Sequence, residues 1–253
     1  MNLAHPLSDR SRTPDLDRTL PPRGHYSALP VLLGTTNPAK LREWRRLLRD
    51  LPVPLLSLSD ISSVPPSIEE TGASFLENAL VKARAYAAWS GLPALADDGG
   101  LQIDALGGAP GIHSRRWVDG TEASDERLIA HTLECLAGVP EWQRGASMIV
   151  VAVLAVPEEG VPLHAGVSGL ARWWTALHAG WSIHGQGAIV GSISREPSPR
   201  RERGFPYRSL FVLPDGRFYV DLQEAEHTVL LHRRAAAEPI RQAIAHACAV
   251  RSD

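Results

Sequence analysis

Leu95-Ala96-Asp97-Asp98-Gly99-Gly100-Leu101 sets two adjacent acids between a short apolar run and a glycine pair. Gln102-Ile103-Asp104-Ala105-Leu106-Gly107-Gly108-Ala109-Pro110-Gly111 follows. Carboxylates at a strand end, with pliable backbone behind them, can hold a hard divalent cation and aim a water. Alone the pattern is weak, because Asp-Asp-Gly commonly makes an ordinary turn. Two upstream segments compatible with phosphate give it weight.

The first of these is strand, turn, helix. Leu29 to Leu33 is an apolar run of strand length, turned by Gly34-Thr35-Thr36-Asn37. Asn37 can cap a helix that opens on Pro38, where proline costs nothing. Leu41, Trp44, Leu47 and Leu48 then share one helical face. The turn sets a hydroxyl, an amide and Lys40 beside the unpaired N–H groups of a helix start, which suits phosphate. Its glycine spacing is not that of a Walker loop, and an ordinary capped helix with a surface lysine gives the same pattern.

The second segment begins with Pro65-Pro66 and ends in Glu69-Glu70-Thr71-Gly72. Ser74-Phe75-Leu76-Glu77 reads as a capping box opening a helix to about Trp89, stopped by Gly91 and Pro93. Ser74, Asn78 and Lys82 fall on one face of it at four-residue intervals. Glu69 and Glu70 have the usual alternative of solvated loop acids, and Lys82 that of a solvent-facing lysine.

Outward from these, Val53 to Leu58 reads as a second strand and Ser124 to Leu136 as a helix. Ala146 to Val156 is the clearest β segment. His184 to Val190 and Leu210 to Leu213 form a further strand pair, and a last helix runs from about Arg233 to Val250. Val161 to Ser182, with Trp173, Trp174 and Trp181, has no assignable pattern. Strands alternate with helices early and pair with one another later, which predicts an α/β fold around an elongated mixed sheet with flanking helices.

At 253 residues the chain can bury a sizeable core, as one large domain or two lobes. A net charge of −2 argues against a general nucleic-acid or membrane-surface binder. No apolar run approaches the ~20 residues of a membrane helix. The two cysteines, Cys135 and Cys248, fall in predicted helices without metal spacing, which points to a reducing cytoplasm. Met1 to about Ala28 mixes Pro, Arg, Asp and Ser without periodicity and reads as a disordered extension. The remainder, from residue 29 to 253, reads as one α/β unit.

From Val31 to Arg115 the chain resembles the inosine triphosphate pyrophosphatases. The likeness rests on Thr35-x-Asn37-x-x-Lys40, on Glu69-Glu70-Thr71-Gly72-x-Ser74-Phe75-x-Glu77-Asn78-Ala79-x-x-Lys82-Ala83, and on Ala96-Asp97-Asp98-x-Gly100-Leu101-x-x-Asp104-Ala105-Leu106-Gly107-Gly108-Ala109-Pro110-Gly111. It resumes loosely at Gln143-Arg144, at residues 187–197, at Gly204-Phe205 and at His232-Arg233. The resemblance implies two lobes around a central cleft, a homodimer and Mg²⁺. It implies water attack on the α-phosphate of ITP-, dITP- or XTP-like substrates, giving a monophosphate and pyrophosphate. Thr35, Asn37 and Lys40 would meet phosphate, Glu70 and Asp97 would bind metal, and Asp98 would orient or deprotonate the water. Lys82 would hold the phosphate chain, while Phe205, Arg208, His232 and Arg233 would meet the substrate.

The likeness breaks in two places. The family carries serine where this chain has Gly99, which removes a hydroxyl but keeps a turn. The family's Gly-Phe-Gly-Tyr-Asp-Pro is here Gly204-Phe205-Pro206-Tyr207-Arg208-Ser209, so the acid that helps read the purine is Arg208. His227 and Leu231 replace a lysine and a serine, and Arg200-Arg201-Glu202-Arg203 replaces a glycine-rich approach. A guanidinium in place of an acceptor reverses the hydrogen-bond pattern offered to a base, which predicts altered base specificity, toward a keto-rich or modified base. Phe205 keeps the means to stack on any ring.

The leading reading is therefore a Mg²⁺-dependent nucleoside triphosphate pyrophosphatase. A nucleotide-binding sensor or partner that no longer turns over is the alternative. A phosphatase of the septum-inhibitor type fits the Asp-Asp-x-Gly-Leu run less well. The hydrolase reading expects Glu70, Asp97 and Asp98 to converge opposite Lys40 and Lys82.

Overall fold

A computed structural model describes residues 30–162, 179–223, 226 and 232–249. The N-terminal extension, Trp173, Trp174, His227 and Leu231 lie outside the described residues. Described strands are β1 (Val31–Leu33), β2 (Leu55–Ser57), β3 (Ala94–Ile103), β4 (Gly145–Ala155), β5 (Ser182–Ile193) and β6 (Phe211–Val212). Described helices are α1 (Pro38–Leu47), α2 (Phe75–Ser90), α3 (Asp125–Cys135) and α4 (His232–Ala249). The strands form one sheet in the order β2-β1-β3-β4-β5-β6. β2, β1 and β3 run parallel, and β3 through β6 are antiparallel neighbours. The expected mixed sheet with flanking helices is present, and no described helix is long and apolar enough to cross a membrane.

The helix starts follow from their capping chemistry. The Asn37 side chain accepts from the Ala39 and Lys40 N–H groups at 2.9 and 3.3 Å, with Pro38 in the first turn. Ser74 caps α2 by accepting from the Glu77 N–H at 3.2 Å. The return bond of the expected capping box is shifted by one residue: Glu77 accepts from the Ala73 N–H at 2.7 Å. Gly91, at φ 72°, ends α2 in the left-handed region that favours glycine. The second strand is shorter than expected, because Leu58–Asp60 closes into a 3-10 turn held by Asp60 on Ser57.

Alternation along the central strands assigns two packing faces. Leu95, Leu101 and Ile103 of β3 join Val150, Ala152 and Leu154 of β4 under α1, α3 and α4. Ala94 and Ala96 join Val153 and Ala155 under α2, through Ala79, Ala83, Tyr86 and Ala87. Trp181 is partly buried against both layers.

The Asp-Asp-Gly-Gly run is not a turn after a strand, as the sequence suggested. It lies inside β3, with Asp97 opposite Ala152, Asp98 opposite Val151 and Gly99 opposite Val150. Close backbone approach explains the glycines: a Cβ on Gly99 would stand 2.3 Å from the Ile149 carbonyl oxygen, and one on Gly100 2.4 Å from that of Gly111. β1 pairs with β3 only as far as Leu33–Leu95. Between Ala96 and Gly100 that edge of β3 is released by β1, which turns through Asn37 into α1; from Leu101 the edge is taken up again by the 109–114 loop, where Ser114 accepts from the Leu101 N–H at 3.0 Å and Ala109 from the Ile103 N–H at 3.1 Å. The acids therefore sit beyond the carboxyl end of a parallel strand, where open α/β sheets bind ligands.

Glycine also seats α4. A Cβ on Gly185 would stand 2.2 Å from the Ala236 carbonyl, and one on Gly187 would overlap that of His232. Gly187→Ala should displace the start of α4 and cost about 1–3 kcal/mol, read by urea unfolding. An unchanged midpoint would show that α4 does not depend on this approach.

Candidate active site

Asp97 and Asp98 are neighbours on a strand, so their side chains leave on opposite faces. Asp97 faces α1 and α4. It accepts from the Trp44 indole N–H at 3.1 Å, and it pairs with Lys40 at 3.1 Å and Arg233 at 3.0 Å. Lys40 and Trp44 are one turn apart on α1, so a single helical face delivers both. Glu43 of the same helix pairs with Arg233 through the other arm of its guanidinium and with Arg208 at 2.7 Å. Burial alone would raise the Asp97 pKa, but Lys40 and Arg233 outweigh it and hold the carboxyl below the usual range. Glu43 is lowered in the same way, against burial, by Arg233 and Arg208.

Asp98 faces α2. It accepts from the Asn78 amide at 3.1 Å and meets Lys82 at 3.3 Å. Lys82 also pairs with Glu70 at 3.2 Å, so one ammonium bridges two carboxylates. Burial disfavours charge on Lys82, but Asp98, Glu70 and Asp97 together raise its pKa and keep it protonated. The Glu70 loop is fixed from outside by Arg116, which donates to the Glu70 carbonyl at 2.9 Å. Asn78 also accepts from the Gly72 N–H at 2.8 Å, tying that loop to α2.

The three acids thus do not form one cluster. Glu70 joins Asp98 rather than Asp97, and Asp97 is engaged by three donors on the other face. Strand alternation is the reason. The two half-sites still feel each other, since Lys82 contributes to lowering Asp97.

Thr35 accepts from the Asn37 N–H at 3.2 Å and braces the turn before α1. Gly204 is clamped from two sides: its carbonyl accepts from the Asn37 amide at 3.1 Å, and its N–H donates to Asp125 at 2.7 Å. This fixes Phe205, which follows. Arg208, expected to face a base, is buried. It forms an ion pair with Glu43 at 2.7 Å, donates to Glu202 at 2.9 Å, and stacks its guanidinium on Phe205 at 3.6 Å. Arg208 therefore does not offer a base the reversed hydrogen-bond pattern expected of it: its charge is met inside the protein by Glu43 and Glu202, and it covers a face of Phe205. His232 is buried beside Tyr219, and burial with Arg233 and Arg208 nearby pushes its pKa well down. It is therefore neutral, and the positive charge expected of the His232-Arg233 pair comes from Arg233 alone.

Sequence reading did not single out Glu43, and it placed Trp44 and Asn78 on helix faces without giving them a role at the site. One signal could have found the centre. Among 26 lysines and arginines, only Lys40 and Lys82 are lysine, and both pair with Asp97 or Asp98. Arginine cannot substitute freely where a compact ammonium bridges two carboxylates. Among the described residues there is no group of three or more His, Cys, Asp or Glu side chains placed to hold a metal.

Fold and site together define a mixed α/β protein that gathers acids and lysines at the released edge of one strand. The family model of the Ham1 family matches residues 31–243. The dITP/XTP pyrophosphatase of Shigella flexneri is 37% identical over 216 residues, covering 85% of this chain and 97% of that protein. The dITP/XTP pyrophosphatase of Anaeromyxobacter sp. (strain Fw109-5) is 37% identical over 240 residues, covering 83% and 94%. A HAM1 protein from Coxiella burnetii superposes with a TM-score of 0.67 at 35% identity, covering 86% of this chain and 99% of that one. The chain belongs to the Ham1 family.

The buried acids predict an acid-labile fold. Asp97 and Glu43 have lowered pKa values when folded, so their stabilisation is complete above the unfolded values of about 4. It is lost as pH falls through the folded values. Asp97→Asn should lower stability at pH 7 by about 3–5 kcal/mol, because Lys40 loses its carboxylate and buried Arg233 keeps only Glu43. It should also flatten the loss of stability on acidification, measured by urea unfolding from pH 7 to 3. A variant as acid-sensitive as the wild type would remove Asp97 from this role.

Proposed function

We propose that the chain hydrolyses a nucleoside triphosphate to the monophosphate and pyrophosphate, with a non-standard purine such as that of ITP, dITP or XTP as substrate. The observation that carries this reading is Lys82 bridging Glu70 and Asp98 at the released edge of β3, in a chain similar to dITP/XTP pyrophosphatases over most of its length. A triphosphate needs cations to bind it and a carboxylate to orient water, and both sit within one lysine's reach.

The donor set also fits Mg²⁺. Glu70 and Asp98 are hard oxygen ligands converging on one cation, the ammonium of Lys82. They are the carboxylates that would hold the metal, whereas Asp97, whose oxygens are engaged by Trp44, Lys40 and Arg233, serves as an anchor. Bound there, the metal would lower the pKa of water and offset triphosphate charge. The protein's own part is positional. Asn78 orients Asp98, which directs the attacking water and takes its proton. Lys82 holds the phosphate chain, and Lys40, Thr35 and Asn37 present the start of α1 to phosphate. Phe205 meets the ring on the side not covered by Arg208. The enzyme works as a homodimer in the cytoplasm, in keeping with the family resemblance.

Purified protein with ITP, XTP, dITP, GTP and UTP, with and without Mg²⁺, tests the reading by pyrophosphate against orthophosphate release. Pyrophosphate should form from ITP or XTP and stop on chelation. Asp98→Asn should lower kcat by about 100-fold or more. Lys82→Arg should also lose activity, since the larger fork does not fit between Glu70 and Asp98. Nucleotide binding without pyrophosphate release would favour the alternative of a sensor that does not turn over.

A further inference from the structure

A cavity of about 260 Å³ opens between α1 and the loop ahead of Phe205. None of Lys40, Glu70, Lys82 or Asp98 lines it. Its lining is dominated by arginine. Arg42 and Arg46 come from one face of α1, a turn apart, and Arg200 and Arg201 come from the loop, with buried Arg208 completing the set. The two acids in the wall, Glu43 and Glu202, are both committed to Arg208, and Glu43 is shared with Arg233. Arg201 is tied to Glu126 at 2.7 Å. Among the described residues, Arg42 and Arg200 meet no carboxylate, and both are exposed.

This concentration of positive charge is local, since the whole chain carries −2. The guanidinium groups of Arg42 and Arg200, which meet no carboxylate among the described residues, add positive charge that a bound anion would offset. Their planar forks match the paired oxygens of a phosphate group. Ala39, Val220 and Leu222 supply an apolar wall that limits water around the bound group. The basic run at Arg200–Arg203, where this chain departs from the pattern it resembles, thereby gains a role.

We infer that this cavity is an oxyanion site for a phosphate group, separate from the Lys82 cluster. The phosphate comes either as a free anion, inorganic phosphate or pyrophosphate, or as a group carried by a nucleotide. The site is linked to the first half-site through shared ion pairs: Arg208 and Arg233 meet on Glu43, and Arg233 holds Asp97.

Isothermal titration of the full chain with sodium pyrophosphate, and separately with IMP, tests the inference in wild type and Arg42→Gln/Arg200→Gln. Both substituted residues are exposed, and circular dichroism with an unfolding midpoint verifies the fold. The double variant should lose one class of sites, with affinity falling about tenfold or more. A second variant, Lys40→Gln/Lys82→Gln, should lose the other class and keep this one. Should that variant not fold, the arginine variant still decides. Loss of pyrophosphate binding alone identifies a free anion, loss of IMP binding alone a nucleotide-borne phosphate, and loss of both a general phosphate site. Isotherms in the arginine variant that match wild type with both probes, or a wild type that binds neither probe, overturn the inference. Pyrophosphate release from ITP, assayed in parallel, reports on the hydrolase reading independently, because these titrations need no turnover.

Discussion

Successive side chains on a β-strand leave on opposite faces, and in this protein that rule acts where β3 has lost its β1 partner. Asp97 and Asp98 therefore belong to two different packing environments while sharing one strand edge. α1 and α4 are drawn to the first acid, and α2 with the Glu70 loop is drawn to the second. The turn into α1, the capped start of α2 and the glycines under α4 all place cations or donors against one of these two carboxylates.

On the Asp97 face the chain invests buried charge. Asp97, Arg233, Glu43 and Arg208 form a continuous series of ion pairs joining β3, α4, α1 and the loop after Phe205. Such a series contributes little net stability over a well-packed apolar equivalent, yet losing one member is costly because its partner is left charged and dry. Its physical effect is to fix how segments far apart in sequence meet. Trp44 adds an indole donor to the same acid and fills the core beneath it. The Asp98 face is arranged differently, with one lysine between two acids.

The departures from the family pattern take on a structural meaning. Gly99 is a contact with the β4 backbone as well as a missing hydroxyl. Arg208 turns inward, toward Glu43 and Glu202, so the exchange of an acid for a guanidinium is balanced inside the protein. The consequence for a ligand is indirect: one face of Phe205 is covered, and an arginine-lined cavity lies alongside.

Much of the architecture was legible along the chain, because local signals carry it. Asn37 with Pro38, Ser74 with Glu77, and Gly91 mark helix ends through hydrogen bonds made within a few residues. Apolar runs of strand length gave β1, β4 and the later strand pair. The order of the Lys40, Glu70, Lys82 and Asp97-Asp98 segments pointed to a phosphate-handling family, and the family match agrees. What the sequence could not supply is which acid meets which cation. A glycine pair reads as a turn until the backbone of β4 is seen against it, and an arginine reads as a ligand donor until two distant glutamates are found holding it. Local chemistry determined the elements and the residue types available to the site. Only the tertiary structure assigned Glu70 to Asp98, Lys40 and Arg233 to Asp97, and Arg208 to the interior, because each pairing depends on strand register and helix seating set by residues far away in the chain.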